Sequence, residues 1–230
     1  VERLQVTPDS TRAVFTAAGL VNARHQLYVV ALDGRAAATP LPATAGTPKV
    51  FDFWLTPDGT RAVYTAAGSV ASVPIDGSAK PVVLNPPLVA GGHIAGTPAV
   101  SDEWVLYQAD QEVLRRYDLH VAPLDGSAPA RRLNDPPGND GVSTYAIVGD
   151  EALFVAPTLP TYGSWQLFHA PLAGGRPARV LNPPGVYSST TSAPRSFLPH
   201  PDLNRVLFAA GGELYLGFLG QPIQGADAPR

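Results

Sequence analysis

The chain has 230 residues, of which 45% are hydrophobic and 15% are charged, and its formal net charge is −3. This charge excludes a nucleic-acid groove, which needs a basic surface, and the lack of an apolar run of about 18 residues excludes a membrane-spanning helix. Cysteine is absent, which excludes disulfides and thiolate metal sites, while 22 Gly and 25 Pro residues demand many turns.

The first predicted elements set a pattern that the rest of the chain repeats. A strand at residues 2–6 is followed by a turn at residues 7–10 and an apolar run at residues 13–17. A further strand at residues 27–32 ends at an Asp-Gly turn, residues 33–34. Pro presets φ for a turn, Asp accepts hydrogen bonds from nearby backbone N–H groups, and Gly permits a positive φ. This order predicts an antiparallel meander of short strands.

Five apolar runs along the chain carry the same residue types at two of their positions. Each run has an aromatic residue in its third position and an alanine in its fifth. The aromatic residues, 43 to 54 positions apart, are Phe15, Tyr64, Tyr107, Phe154 and Phe208. Repeats of this period indicate stacked units that bury a column of side chains between neighbours. We therefore predict that these five aromatic side chains lie in the core.

Turns and a fourth short strand complete each repeat. An Asp-containing turn precedes each apolar run, and an Asp-Gly or Ala-Gly pair follows the third strand in repeats one to four. The fourth strand ends at Leu84-Asn85, Leu133-Asn134 and Leu181-Asn182, with looser versions near Leu41 and Ile223. Four antiparallel strands in about 45–50 residues is the size of a propeller blade.

The repeats predict an all-β fold, a β-propeller of five blades with four antiparallel strands each. We assign residues 1–230 to a single domain, with repeats at approximately 1–48, 49–94, 95–141, 142–192 and 193–230. Methionine is absent, even at position 1, so we expect a processed or excised chain. The blades form either a closed five-bladed ring or part of a larger ring. We favour the closed ring, because an open one would expose unpaired edges and apolar faces.

The second repeat carries a resemblance to a known family. Residues 56–64 (TPDGTRAVY), 75–77 (IDG) and 83–85 (VLN) resemble TolB-type repeats of the WD40-like β-propeller family. The resemblance covers essentially the whole chain in five copies. It implies a periplasmic or secreted bacterial protein that binds other proteins. Similar blades form the gating domain of prolyl-oligopeptidase-like enzymes, so the resemblance implies a fold and leaves the activity open.

Candidate site residues follow from the predicted architecture. The innermost strands of a propeller line a central channel, and the loops that enter them share one face with the loops between second and third strands. The predicted channel segments supply Asp52, Trp54, Tyr145 and Arg195, and His93 lies in an entering loop. We predict that these five residues bind a ligand at the channel mouth. The alternative is that Trp54 and Tyr145 pack between blades and Asp52 caps a turn.

Two longer loops are further candidates. Residues 110–112 and 115–117 form a charged loop, and residues 159–165 form an aromatic loop that includes Tyr162 and Trp165. Aromatic side chains flanked by Ser and Gly can bind carbohydrate or peptide, since they offer flat apolar area at low entropic cost. The alternative is that both loops are solvated surface.

The sequence offers no catalytic constellation. The five histidines lack metal-ligand spacing, no Gly-x-Ser-x-Gly elbow is present, and His120 and His169 fall in neighbouring columns of adjacent repeats. A glycosidase-like pair of carboxylates would need Asp52 together with Glu2, the only other acid on a predicted innermost strand. We predict no catalytic residue, no metal and no cofactor.

Together these patterns predict a non-enzymatic binding or scaffold propeller. It would recognise a protein or peptide partner through its loop face and channel mouth. Two alternatives stay open: a carbohydrate-binding or glycan-active propeller, and the gating propeller of a larger hydrolase. We expect no nucleic-acid partner and no membrane span. By resemblance alone, the expected location is periplasmic or extracellular.

Overall fold

The computed structural model describes residues 1–18, 25–42, 49–50, 52–134, 141–157, 165–182, 197–200, 205–210 and 213–219. Every regular element within these ranges is a β-strand, which confirms the predicted all-β class. The chain divides into two compact units. The first comprises Val1–Arg115 and His120–Arg131, and the second comprises Arg116–Leu119 and Arg132–Arg230.

The first three sheets each contain four strands that are neighbours in chain order. Sheet one contains β1 (Arg3–Val6), β2 (Arg12–Ala18), β3 (His25–Ala31) and β4 (Thr39–Pro40). Sheet two contains β5 (Asp52–Leu55), β6 (Arg61–Ala66), β7 (Ser69–Pro74) and β8 (Val82–Val83). Sheet three contains β9 (Ile94–Val100), β10 (Trp104–Ala109), β11 (Asp118–Pro123) and β12 (Arg131–Arg132).

The last two sheets continue the same meander. Sheet four contains β13 (Thr144–Val148), β14 (Glu151–Pro157), β15 (Trp165–Pro171) and β16 (Arg179–Val180). Sheet five contains β17 (Phe197–Pro199), β18 (Arg205–Ala210) and β19 (Glu213–Phe218). The fourth strand predicted near Ile223 lies outside the described residues. Five antiparallel meanders of this size are the blade organisation of a β-propeller.

The predicted aromatic column is buried in four of its five members. Tyr64, Tyr107, Phe154 and Phe208 are each at most 2% exposed. Phe15 is the exception, because its side chain is only half-buried. The prediction of a fully buried position was therefore wrong for Phe15, although Phe15 lies on the second strand of its sheet as predicted.

Neighbouring sheets pack the aliphatic face of one against the aromatic face of the next. In the first unit, Val14 of sheet one packs in one cluster with Tyr64 of sheet two. In the second unit, Leu153 of sheet four packs in one cluster with Phe208 of sheet five. In each of these pairs, an aliphatic residue of one sheet therefore covers the aromatic residue of the next sheet.

The Thr-Pro-Asp turns hold their shape through side chains. The Thr7 hydroxyl donates to Asp9 Oδ1 at 2.5 Å, and the Thr11 amide donates to the same oxygen at 3.0 Å. These bonds, that from Thr7 first, lower the pKa of Asp9 to about 2. The same contacts recur around Asp58. The repeated Pro-Asp motif is therefore a turn with its own hydrogen-bond acceptor.

A buried asparagine clamps the third strand in repeats two to four. Each asparagine follows the two-residue fourth strand and is at most 8% exposed. The side-chain oxygens of Asn85, Asn134 and Asn182 accept hydrogen bonds of 2.7, 2.9 and 2.7 Å from the backbone amides of Val70, Leu119 and Leu167. The side chain thus supplies an acceptor that the short fourth strand lacks.

Candidate functional site

A groove lies between a hairpin turn and the connection that leads from sheet two to sheet three. Its volume is about 450 Å³, within the range of roughly 300–1,000 Å³ that small-ligand sites occupy. We call it the loop groove. Its lining consists of Ala67, Gly68, Ser69, Val83, Asn85, Pro86, Pro87, Leu88, Val89 and Gly92. This is the face where the sequence predicts a site. One wall of the groove is the turn between the second and third strands of sheet two, and the other is the loop that enters the innermost strand of sheet three.

The first wall is the tight turn between β6 and β7. Ala67 and Gly68 both have positive φ, 46° and 80°, as a two-residue hairpin turn of the primed type requires. The second wall continues from β8 through Pro86 and Pro87. Proline fixes φ and lacks an amide donor, so this wall cannot extend the strand. Both walls are therefore rigid before any ligand arrives.

Asn85 ties the two walls together. Its side-chain amide donates to the carbonyl oxygen of Gly68 at 3.1 Å and to that of Pro86 at 2.9 Å. Its side-chain oxygen accepts the Val70 amide at 2.7 Å. One buried side chain thus makes three hydrogen bonds to two backbone segments, the β6–β7 hairpin and the second wall.

A buried carboxylate anchors the far end of the second wall. The side chain of Asp110 is 0% exposed and accepts hydrogen bonds from the amides of His93 at 2.5 Å and Arg115 at 3.1 Å. Burial acts to raise its pKa, but these amides and the His93 ring outweigh it, so the pKa of Asp110 lies below its usual value. The alternative that residues 110–112 are solvated surface therefore does not hold for Asp110.

Close packing explains the glycine beside this anchor. A Cβ added to Gly92 would lie 2.9 Å from the backbone oxygens of Val89 and Asp110. Side chains are therefore excluded at the point where the wall approaches the carboxylate. His93 follows directly, with a ring that is 57% exposed and an Nδ1 that lies 3.7 Å from Asp110 Oδ2. Of the predicted site residues, His93 is the one that borders the loop groove.

The loop groove is uncharged, and its accessible lining is about half polar and half apolar. Val83, Leu88 and Val89 line it together with the two prolines, and none of its lining residues is ionisable. Leu114 extends this surface, because its Cδ1 would lie 3.8 Å from a Cβ added at Gly91 and its side chain is 49% exposed. The chemistry favours an uncharged segment with apolar side chains and free backbone hydrogen-bonding groups.

Two other predicted residues meet on the innermost strands of sheets one and two. Asp52 forms an ion pair with Arg3, and the side chains of the pair are 36% and 39% exposed. The Arg3 guanidinium lies 5.5 Å from the ring centroid of Trp54 and 5.9 Å from that of Phe53. Gln5 joins β1 to β5. Its side-chain Nε2 donates a hydrogen bond to the carbonyl oxygen of Phe53 at 2.9 Å, and its Oε1 accepts one from the backbone amide of Leu55 at 3.1 Å.

This inner-strand cluster, made of Arg3, Gln5, Asp52, Phe53 and Trp54, satisfies its own polar groups. The carboxylate faces a guanidinium, which is also close enough to both rings for a cation–π contact. Trp54 is half-buried between these partners. The alternative interpretation, in which Trp54 packs and Asp52 has a structural role, fits these contacts better than a ligand site does.

The remaining candidates divide between the second unit and the undescribed residues. Tyr145 is half-buried in β13, opposite Phe154. Trp165 begins β15 and packs against the core cluster of sheets four and five, so it is a strand residue rather than part of a solvated loop. Arg195 and Tyr162 lie outside the described residues. Only Asp52 and Trp54, among the described candidates, are brought together in one cluster.

The sequence contained an uninterpreted signal for the loop groove. The Leu-Asn-Pro-Pro motif occurs twice, and in repeat two it is followed directly by the apolar pair Leu88 and Val89. We interpreted it only as the end of a strand and a connection. Asn85 is the residue that sequence reasoning missed, because its partners Gly68 and Val70 lie 15 and more positions away.

Two features are absent from the described residues. No group of three or more His, Cys, Asp or Glu side chains within them could hold a metal ion. Nor do these residues form a helix long and apolar enough to cross a membrane. His120 and His169 occupy neighbouring rather than equivalent positions in their repeats, as predicted. His120 stacks on the aromatic residue Tyr107, whereas His169 lies opposite Leu153, one position from the aromatic residue of its repeat.

Comparison with known proteins shows the fold. No protein-family model and no curated protein matches the chain. Porphyromonas gingivalis dipeptidyl peptidase 4 matches with a TM-score of 0.65 at 10% identity, over 97% of this chain and 39% of the peptidase. An oligogalacturonate lyase in complex with manganese matches with a TM-score of 0.55 at 15% identity, over 93% of this chain and 61% of the lyase.

A TolB from Acinetobacter baumannii also matches, with a TM-score of 0.43 at 13% identity, over 94% of this chain and 53% of TolB. That likeness is too weak to interpret further. The two stronger likenesses show that the chain has the β-propeller fold and nothing finer. The chain spans less than two thirds of the length of each of these proteins.

Proposed function

We propose that this chain is a non-enzymatic β-propeller binding module of TolB-like type, which recognises a protein or peptide partner through its loop face. The loop groove is the contact site, and His93 borders it. The observation that carries the proposal is an uncharged groove, with both polar and apolar lining, whose walls are tied by Asn85 and anchored by Asp110. Preorganised walls lower the entropic cost of binding.

The lining favours a peptide over a charged metabolite. Apolar side chains of a partner would pack against Leu88, Val89 and Val83, which line the groove. A partner's backbone groups would meet the polar side chain of Ser69 and the exposed backbone of the turn. An extended peptide offers both kinds of group along one edge. A phosphate or carboxylate would find no cationic lining residue there.

The proposal does not include catalysis. The lining contains one hydroxyl, that of Ser69, and no carboxylate or imidazole. Nucleophilic catalysis needs a base within hydrogen-bond reach of the nucleophile. Sugar chemistry of the glycosidase type needs two carboxyl groups at a defined separation, and none lines the groove.

The test is peptide selection followed by a matched pair of variants. A displayed library of random peptides is panned on the purified chain, and the affinity of the best synthetic peptide is measured by calorimetry. Leu88→Asp introduces a charge into the groove, whereas Leu32→Asp introduces one directly after β3, at a residue that is 49% exposed. We expect Leu88→Asp to weaken the peptide at least about tenfold, as loss of a central contact does, and Leu32→Asp to leave it unchanged.

Thermal unfolding against a ligand panel separates the alternatives. A ligand present at about 100 times its Kd stabilises the fold by about 2.7 kcal/mol. A shift with oligosaccharides alone would replace the peptide proposal by the carbohydrate-binding one. A selected peptide whose affinity is the same in Leu88→Asp would remove the loop groove from the proposal.

We also propose that the protein is exported, as the resemblance to TolB-type repeats implies. The absence of cysteine is compatible with an oxidising compartment and does not require one. Fractionation of the native host with an antibody against this chain is the check. Recovery in the cytoplasmic fraction alone would contradict export without affecting the binding proposal.

A further inference from the structure

The outermost strand of sheet two leaves two backbone groups without a partner. In β8, Val83 lies opposite Ala71 of β7, and the next backbone amide, that of Leu84, donates to the carbonyl oxygen of Val70 at 2.8 Å. Successive residues of an antiparallel strand direct their N–H and C=O groups to opposite sides. Leu84 faces β7, so the N–H and C=O of Val83 point to the open side of the sheet. Neither group makes a hydrogen bond within the residues that the structure describes.

The corresponding edges of sheets one, three and four carry proline or charge. Each two-residue fourth strand is followed by a leucine whose amide donates to the third strand, so the last residue of the strand faces the open side. That residue is Pro40 in sheet one, which has no N–H. β12 consists of Arg131 and Arg132, and β16 begins with Arg179. Prolines and charged side chains protect edge strands from pairing with other chains. Among the fourth strands that the structure describes, β8 alone contains neither.

The open edge of β8 leads into the loop groove. Val83 lines the groove and is 48% exposed. The chain then continues through Asn85 to Leu88, and both residues line the same groove. A strand added beside Val83 would therefore pass directly into the groove, and its backbone and its side chains would be bound by neighbouring parts of one surface.

We propose that the partner of the loop groove is an extended peptide segment that pairs with β8 as a fifth, antiparallel strand. This inference rests on the proposed function and specifies how the peptide is held. One peptide residue, which we call the pairing residue, donates its N–H to the carbonyl oxygen of Val83 and accepts the Val83 N–H. The residues before it run along Asn85 towards Leu88. In such strand addition the main-chain bonds provide affinity, and the contacts of alternate side chains provide specificity.

A lysine beside β8 adds charge to the predicted recognition. Lys80 is exposed and forms no ion pair with another described residue. It precedes Pro81, and a residue before proline favours an extended backbone. In an antiparallel pairing, Lys80 lies opposite the peptide residue three positions after the pairing residue. We therefore expect Asp or Glu at that position, and an apolar residue two positions before the pairing residue, where the peptide meets the groove.

A methylation scan of the peptide tests the backbone pairing. The peptide selected on the purified chain is synthesised with one backbone N-methyl group at each position in turn, and each affinity is measured by calorimetry. A methyl group on the pairing residue removes the donor to Val83 and should weaken binding at least about tenfold. A methyl group on either neighbouring residue, whose N–H points away from β8, should leave the affinity unchanged.

A proline substitution tests the same bond from the side of the protein. Val83→Pro removes the N–H and gives sheet two the residue that sheet one has at Pro40. Val180→Pro is the matched control, because Val180 is the last residue of the fourth strand in sheet four. We expect Val83→Pro to weaken the peptide at least about tenfold and Val180→Pro to leave it unchanged. Circular dichroism checks that both variants fold, and the methylation scan needs no variant at all.

A charge exchange tests the direction of the peptide. Lys80→Glu should weaken the selected peptide about fivefold, the upper range for an exposed ion pair. Replacing the acidic peptide residue with lysine should restore the affinity for Lys80→Glu. A failure to restore it would overturn the antiparallel arrangement.

The results separate this inference from the proposed function. Binding that is lost in Leu88→Asp, but is insensitive to methylation at every position and to Val83→Pro, would overturn the strand pairing and leave the groove as the binding site. Binding that is unchanged in Leu88→Asp would remove the groove and the strand pairing together.

Discussion

The loop groove and the inner-strand cluster belong to the same compact unit and hold opposite kinds of chemistry. The cluster contains the residue types that suggest ligand binding, yet Asp52 is already paired with Arg3. The groove contains no ionisable side chain, yet its walls are preformed and open. The comparison shows that residue type indicates which chemistry is available. A binding site also needs groups that are accessible and not already engaged with partners in the chain.

Two buried polar residues support the walls of the groove, and one of them, Asn85, also lines it. Asn85 and Asp110 are buried and fully engaged with backbone groups. A partner would instead touch the apolar side chains that these two residues hold in place. The groove should therefore be more sensitive to changes in its supports than the inner-strand cluster is to loss of a charge.

Loss of the groove's central support should have the largest effect. Asn85→Ala leaves the buried Val70 amide without its acceptor and frees two backbone carbonyls, so we expect a loss of about 3 kcal/mol in the free energy of unfolding. Asn182→Ala removes the equivalent bond to Leu167 and should cost about 2 kcal/mol. Denaturant titrations measure both losses.

The two asparagine variants differ in binding as well. Asn85→Ala should weaken the selected peptide, because the Gly68 and Pro86 carbonyls are no longer held together, whereas Asn182→Ala should not. Equal affinities for the two variants at a temperature where both are folded would show that Asn85 supports the fold without shaping the groove.

Removing the charge of the buried anchor should come next. Asp110→Asn keeps the shape but weakens the hydrogen bonds from His93 and Arg115, at a cost of about 2 kcal/mol at pH 7. The folded pKa of Asp110 lies below its usual value, so its carboxylate contributes stability above the unfolded pKa of about 3.9. That contribution is lost as pH falls through the folded pKa.

The acid limb of the stability curve is the check on this sign. Wild type should lose stability more steeply than Asp110→Asn below about pH 4, and the two curves should approach each other there. Parallel curves from pH 7 to pH 3 would mean that the carboxylate has the same pKa in the folded and unfolded chain.

Gln5 tests the side-chain link between the inner strands. Its amide makes two hydrogen bonds to the backbone of β5, so Gln5→Ala should cost about 1.5 kcal/mol. Gln26→Ala is the matched control, because Gln26 bonds Tyr28 on its own strand and should cost about 0.5 kcal/mol. Thermal unfolding of the two variants gives the comparison, and equal melting temperatures would contradict a role for Gln5 in joining the sheets.

The fold could be predicted because its signals are local. Turn chemistry at Asp9 and Asp58 and the aromatic column from Tyr64 to Phe208 recur at near-constant spacing, and each repeat specifies its own meander. Phe15 was misjudged because its burial depends on a neighbouring sheet. Local sequence cannot report whether such a neighbour covers a given face.

The site was harder to predict because its determinants are contacts between segments. The sequence predicts Asp52 as a ligand-binding residue at the channel mouth, but the carboxylate pairs with Arg3, which lies 49 positions earlier in a different sheet. Asp110 was placed in a solvated loop, although two amides of the folded chain enclose it. His93 directly precedes β9, as the order of the strands predicts, and its role in binding stays a prediction.

The smallest effect should come from Asp52, one of the residues that the sequence predicts to bind a ligand. Asp52→Asn removes one charge from an ion pair whose partners are both more than a third exposed, and such pairs contribute about 0–1 kcal/mol. The selected peptide should bind Asp52→Asn with the same affinity as the wild type, because the polar groups of the inner-strand cluster interact with one another. Asp33→Asn, at the more exposed pair with Arg35, gives the baseline for losing a surface carboxylate. A loss of peptide affinity of about tenfold or more in Asp52→Asn alone would reverse the comparison and make the inner strands the binding site.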